Sequence, residues 1–432
     1  MLKNILLGAG VFAVLLSVLI FSGKVPIGGK QAQAQGDVIM WGTIPETQMD
    51  DIIQEFNPDA RTYAVRYKYV PEKEFNQRLL EALASGSGPD LIFTPYQVIL
   101  SQAHRIVPFP VTSLGEKTFK DTYVDGASIF YTRSGAIALP VSIEPMVLIY
   151  NRAMLSKHGF PSPPLYWDEL TAMTTALTVR EKNEFIESAI ALGTPNVPYA
   201  KDIIMAIVSQ LGQTPIVTIY NQVGEPELFV NANEPSVVDA SVRPLTTVNR
   251  YFTQFGDPGQ TAYTWSDSLG KADDRFVAER LAMIIGYAGD LGNFKARNPR
   301  GEFEMTTLPQ TRGYNTFSMG MRMYGIAVLK TSANPLTAFT VQSQFSGDGI
   351  SQKLAAIVGG VTALRSFAAT PGLDQVMARS MLVARGWYDS YQAETNQYTS
   401  ILISDIINYR YGVVDATSLY VSRLRDLYTK KI

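Results

Sequence analysis

Three carboxylates stand where chemistry is conceivable: Glu144, between the β-rich pieces Leu139 to Val141 and Met146 to Tyr150; Asp267, in a polar loop; and Asp290, behind a short apolar run. Pro145 biases Glu144 towards extended backbone, and a carboxylate set between strands needs a partner once buried. A surface glutamate in a loop is the other reading of Glu144. Aromatic residues occur in comparable settings. Trp41 ends the first apolar run and Tyr96 follows the third, the carboxyl edge at which α/β sheets open their ligand crevices. Trp41 reads equally well as a core residue, and Tyr96 has Thr94 and Gln97 as polar alternatives. Trp265 lies among Thr264, Ser266 and Asp267, and Tyr287 precedes Asp290 in a Gly-Tyr-Ala-Gly-Asp turn. Trp387 stands ahead of the last helices, where it either faces a ligand or packs its domain. Planar faces beside acidic groups suit a molecule with both hydroxyls and C–H faces. Two carboxylates across such a molecule would instead suit acid–base hydrolysis.

The composition removes other chemistries. The chain has no cysteine, so disulfides, thiolate metal sites, cysteine nucleophiles and a lipidated N-terminal cysteine are excluded. Its two histidines, His104 and His158, lack the spacing of a shared metal site, and neither a metal nor a cofactor is expected. There is no G-x-S-x-G elbow and no H-E-x-x-H, and the Gly28-Gly29-Lys30 run lacks the spacing and hydroxyl residue of a phosphate-binding loop. With 37 basic and 39 acidic residues the formal charge is -2, which argues against a nucleic-acid partner.

The positioning elements follow from periodicity. The uncharged run Ile5 to Phe21 is a signal-peptide core or a short membrane span. Ala32-Gln33-Ala34 fits a cleavage site but lies far beyond that run, which favours an uncleaved anchor with Ser22 to Gly36 as tether; a cleaved signal is the alternative. From Asp37 onwards, strands at Val38 to Trp41, Val65 to Val70 and Leu91 to Phe93 alternate with helical stripes, Met49, Ile52, Ile53 and Phe56, then Phe75, Leu79 and Leu83. Such alternation makes a parallel α/β sheet. Further on, Asn151 caps a short helix ending before Gly159, and Leu170, Met173 and Leu177 line another. Ile216 to Tyr220 reads as a strand, Asn231 to Tyr251 as a helix broken by Pro244, and Ala282 to Ile285 as a strand behind a helix. The last hundred residues are mostly helical, with Leu419, Leu424 and Leu427 in the final amphipathic stretch. A chain of 432 residues is expected to form two domains.

Four segments in order carry a family resemblance: VRYKYVPEKEFNQRLLEALASGSGPDLIF, ALPVSIEPMVLIYNRAMLSKHGFPSPPLYWDEL, FVAERLAMIIGYAGDLGNF and GGVTALRSF. Together they resemble the extracellular solute-binding proteins that serve sugar-importing ABC transporters, of the maltose-binding type. The resemblance implies two α/β lobes joined by crossings near Ile143 to Val147, Met305 to Pro309 and Gly359 to Leu364. Residues 37–142 with 310–358 would form the first lobe, residues 148–304 with 365–432 the second, and residues 1–36 the leader or anchor. It further implies a monomer that closes by a hinge motion around a small polar solute, a mono- or oligosaccharide above all, and delivers it to permease subunits. Peptides and polyols are the alternative ligands. Family members place a carboxylate at the position of Glu144, where it accepts hydrogen bonds from ligand hydroxyls, and often an aromatic near Trp387. In the turn holding Tyr287 they often have tryptophan, so this chain departs there. An exported glycoside hydrolase using Glu144, Asp267 or Asp290, and a receptor reporting to a membrane sensor, are the competing functions.

Overall fold

A computed structural model describes residues 36–57, 63–182, 184–212, 217–220, 226–229, 235–314 and 316–430. The apolar run Ile5 to Phe21 and the Ala32-Gln33-Ala34 segment lie outside the described residues. Among the described residues no helix is long and apolar enough to cross a membrane. The chain divides into two compact units, Met1–Asp121 with Phe130–Ser142 and Tyr324–Ile357, and Thr122–Ile129 with Ile143–Met323 and Val358–Ile432.

In the first unit, strand Val38–Gly42 pairs in parallel with Val65–Tyr69 and with Leu91–Pro95. Residues 324–328 add an antiparallel neighbour to Leu91–Pro95. Helix Glu46–Phe56 buries Met49, Ile52 and Phe56, as its spacing predicts. Helix Glu72–Ala84 buries Phe75, Leu79 and Ala82, while Leu83 lies at the flank. The strict four-residue stripe drifts off a helix of 3.6 residues per turn, and Leu83 instead covers Gly88, where a Cβ would come within 2.6 Å of its Cδ2. Asp90, 7% exposed, ties this unit together. Its carboxylate accepts from Ile39 N at 2.8 Å, Ser332 Oγ at 2.6 Å and Ala333 N at 3.1 Å.

In the second unit, which takes residues 143–151 of strand Leu139–Asn151, residues 146–151 are flanked antiparallel by Leu281–Tyr287 and by Phe303–Thr307. Glu184–Ile190 joins Leu281–Tyr287 in parallel. Every residue of Leu139–Asn151 is buried, the mark of a strand covered on both faces. The two extended pieces expected around Glu144 are thus one strand. Pro145 is tolerated because pairing with Leu281–Tyr287 begins only at Met146, and its carbonyl still accepts from Ala288 N at 3.1 Å. Asn151 caps helix Arg152–Lys157 through Oδ1, which accepts from Met154 N at 2.9 Å. Leu170, Met173 and Leu177 are buried on helix Trp167–Leu177.

Several expectations are corrected. Helix Pro235–Thr253 runs through Pro244 rather than breaking there. An internal proline costs about 3 kcal/mol, which burial of Leu245, Val248 and Phe252 in the following turns offsets. Met305 to Pro309 is no crossing, and residues 310–323 belong to the second unit. The cause is tertiary: Phe303–Thr307 is laddered along the central strand, and Gln210 Nε2 donates to Pro309 O at 2.9 Å and Ser318 O at 3.0 Å. Residues 122–129 also join the second unit, where Val124 N donates to Ala363 O at 3.0 Å and Asp125 pairs with Arg365 and Arg385. In the last helix, Val413–Lys430, Leu419 is 38% exposed while Tyr420 and Val421 turn inward.

Replacing Asp90 by Ala leaves the Ile39 and Ala333 N–H groups without their acceptor. D90A is expected to lower the unfolding free energy by about 2–4 kcal/mol, read from urea midpoints, with Asp90→Asn losing less.

Candidate functional site

Glu144 lies on the central strand of the second unit and is 5% exposed. Oε1 accepts from Gly289 N at 2.9 Å, and Oε2 faces Arg322 Nη1 at 3.6 Å. The approach depends on residues without side chains. A Cβ on Gly289 would lie 2.8 Å from both Glu144 Oε1 and Gly359 O, and one on Gly360 would lie 2.6 Å from Ile143 O. Gly359 has φ +82°, a left-handed conformation that glycine adopts without cost.

The Gly-Tyr-Ala-Gly-Asp turn begins where strand Leu281–Tyr287 ends. Asp290 Oδ2 accepts from Tyr287 N at 2.9 Å, closing the turn as helix Asp290–Arg297 starts. Tyr287 is 2% exposed and donates its hydroxyl to Asp202 Oδ2 at 3.0 Å. Asp202 lies in the first turn of helix Ala200–Gln210. Tyr199, which precedes that helix with φ 59°, meets Tyr287 edge to face at 4.9 Å between ring centroids. The Arg322 guanidinium lies 4.1 Å from the Tyr287 centroid and 4.7 Å from that of Tyr199. Both are cation–π contacts.

Behind this group, Lys201 forms a buried ion pair with Asp389. Thr395 Oγ1 stands 3.0 Å from both Asp389 oxygens, and the Trp387 ring centroid lies 5.2 Å from Lys201 Nζ. The pair anchors the Trp387 segment against helix Ala200–Gln210.

Burial pushes the Glu144 carboxyl up to about 7; the neighbouring Asp290 adds to the rise, and Arg322 and the Gly289 N–H oppose it. Burial also raises Asp290, against the Tyr287 N–H, Arg322 and Tyr199. Asp273 is raised by burial and by Asp290, and burial takes the Tyr199 phenol to about 12. Around one guanidinium the unit thus gathers two carboxyls, Glu144 and Asp290, whose ionisation burial disfavours and which can exchange hydrogen bonds with a polar guest.

Of the residues expected from the sequence, Glu144, Tyr287 and Asp290 come together around Arg322, and Trp387 stands behind them at Lys201. Trp265 is elsewhere in the same unit and 1% exposed; its polar neighbours Asp267 and Ser268 face solvent while the indole is interior. Trp41 and Tyr96 belong to the first unit. Trp41 is 5% exposed, edge-on to Phe75 with Lys68 Nζ 4.5 Å from its ring centroid, and Tyr96 is 2% exposed at the start of helix Tyr96–Ser101. Sequence reasoning missed Arg322, Tyr199, Asp202 and the three glycines. Arg322 had a signal, a lone charge within the otherwise apolar strand Met321–Leu329. The glycines lay inside the quoted motifs, but nothing local says what backbone approaches them.

Glu144 ionises less readily in the folded chain than its ordinary value near 4.5 allows. The folded state therefore holds the proton more tightly than the unfolded state. Its contribution is fully present below about pH 4.5 and is lost as pH rises through about 7, by up to about 3 kcal/mol. Glu144→Gln removes that ionisation. Urea midpoints compared at pH 5 and pH 8 are expected to fall for the wild type by more than for E144Q; equal pH dependence would refute the buried, raised carboxyl.

Solved structures share this fold. The chain superposes on a cyclo/maltodextrin-binding protein complexed with maltotetraose with a TM-score of 0.70 at 13% identity, covering 93% of this chain and 100% of that one. The sugar-binding protein MalE from Xanthomonas citri gives 0.69 at 15% identity, covering 91% and 98%. The cyclic alpha-maltosyl-1,6-maltose binding protein from Arthrobacter globiformis gives 0.69 at 15% identity, covering 91% and 99%. Residues 51–375 match the family model described as bacterial extracellular solute-binding protein, and since that is most of the sequence, the chain belongs to this family.

Proposed function

We propose that the chain is the carbohydrate receptor of an ABC importer: it captures a mono- or oligosaccharide outside the cytoplasm, leaves it chemically unchanged and passes it to permease subunits. The observation that carries this reading is the grouping, within the second unit, of a buried carboxylate, two tyrosine rings and a partly exposed guanidinium: Glu144, Tyr199, Tyr287 and Arg322. A sugar presents hydroxyls to the charged groups and C–H faces to the rings. The family match supports the reading, as does the fold shared with proteins named as bound to maltotetraose, maltotriose and mannotriose.

Asp290 and Trp387 complete the second unit's contribution, and Trp41, Tyr96 and Trp265 are the further contact residues of the proposal. The receptor works as a monomer held at the outer membrane face by Ile5 to Phe21. Its conformational switch is a hinge motion, and the sugar shifts the populations only through contacts that one state makes and the other lacks.

The test is a thermal-shift screen of the full chain in mild detergent against maltotriose, maltotetraose and mannotriose. A sugar at about a hundred times its Kd stabilises the native state by about 2.7 kcal/mol, a rise of several degrees. Glu144→Ala is expected to weaken that sugar by about 10- to 150-fold, the loss of a hydrogen bond to a charged group. Chromatography of the incubated sugar should show it intact. Silence across the panel, or cleavage, would reject the proposal.

A further inference from the structure

Resting on the carbohydrate reading, we infer that Arg322 is the specificity-determining residue of the site: seated on the Tyr199 and Tyr287 rings, its guanidinium donates to two neighbouring oxygens of a neutral sugar whose hydroxyl donates to Glu144. The inference starts from how differently this arginine is held from others in the chain. Arg312 reaches Asp168 at 3.0 Å and Glu169 at 2.8 Å, and Arg385 reaches Asp125 at 2.7 Å. Arg322 has a carboxylate partner, Glu144, at 3.6 Å, beyond a normal hydrogen bond. Ring faces at 4.1 and 4.7 Å and the Tyr199 hydroxyl help to place it, and its side chain is 41% exposed.

A cation–π contact holds a guanidinium through its charge, so of its five N–H groups those not turned to Glu144 and Tyr199 remain for a guest. Those donors form a rigid fork, matched by two adjacent oxygens and not by one. Glu144 supplies the complement, because an ionised carboxylate only accepts. A vicinal diol satisfies both, its oxygens accepting from Arg322 and one of its protons passing into a hydrogen bond to Glu144. The charged and titratable groups facing Arg322 are Glu144, Asp290, Tyr199 and Tyr287; Asp273 faces Asp290, and Asp202 holds the Tyr287 hydroxyl. That acidic surround disfavours a sugar carrying a carboxylate and favours an uncharged one. Arg322 also favours the ionised form of Glu144, since its charge opposes the effect of burial.

The test is calorimetric titration of maltotriose and of mannotriose into the full chain and into Arg322→Met and Arg322→Lys, at pH 7 and pH 9, with melting curves to establish that each variant is folded. R322M is expected to bind about 10- to 100-fold more weakly at pH 7. Part of that loss should return at pH 9, because without the guanidinium Glu144 ionises only at higher pH. R322K keeps the charge but not the fork, so it should lose about tenfold while retaining the wild-type pH profile. Wild-type binding with R322M and R322K both within twofold of it, or a loss in R322M that does not change with pH, overturns the inference and leaves the carbohydrate reading intact. If neither sugar binds the wild type, the carbohydrate reading fails and this inference falls with it.

Discussion

A carboxylate taken out of water is the constraint around which the second unit is arranged. Glu144 is buried on a strand covered on both faces, where its charge is expensive. One backbone N–H and one guanidinium at 3.6 Å compensate it only in part, so its proton is held unusually tightly. A chain selected for stability alone would place an apolar residue there. Retaining an under-compensated carboxyl beside two tyrosines and an arginine makes sense if a guest supplies the missing hydrogen bonds, which is where functional groups with displaced titrations tend to be found.

The elements follow from short-range pattern wherever one face of a segment is buried. Met49, Ile52 and Phe56, and Leu170, Met173 and Leu177, repeat at helical spacing because each set lies against a sheet, and the same spacing is visible without coordinates. The pattern misled where distant residues decide. Pro244 sits inside a helix that downstream burial sustains, and Phe303–Thr307 stays with the second unit because its ladder partner is far away in sequence. Residues 122–129 join that unit through Ala363 and Arg365, a pairing with no local signature.

The site was legible by residue type more than by neighbourhood. Glu144 was marked by Pro145 and the strands around it, and Tyr287 and Asp290 by their turn. Arg322 and Tyr199 meet them only through tertiary structure, one on the far strand Met321–Leu329 and the other at the start of helix Ala200–Gln210. Trp265 was marked by its polar neighbours, of which Asp267 and Ser268 face solvent while Thr264 and the indole are buried.

The contact among Gly289, Gly359 and Gly360 bears on how the ligand preference of such a receptor diversifies. A methyl group on Gly289 would press on Glu144 Oε1 and one on Gly360 on Ile143 O, and Gly359 has a positive φ, so variation at these positions perturbs the scaffold before it alters recognition. On the proposed assignment, altered taste in ligands would arise instead from the rings and the guanidinium, whose bulk and polarity can be exchanged over an unchanged backbone floor. An engineer wishing to redirect the protein to another solute would therefore randomise the walls and leave that floor alone.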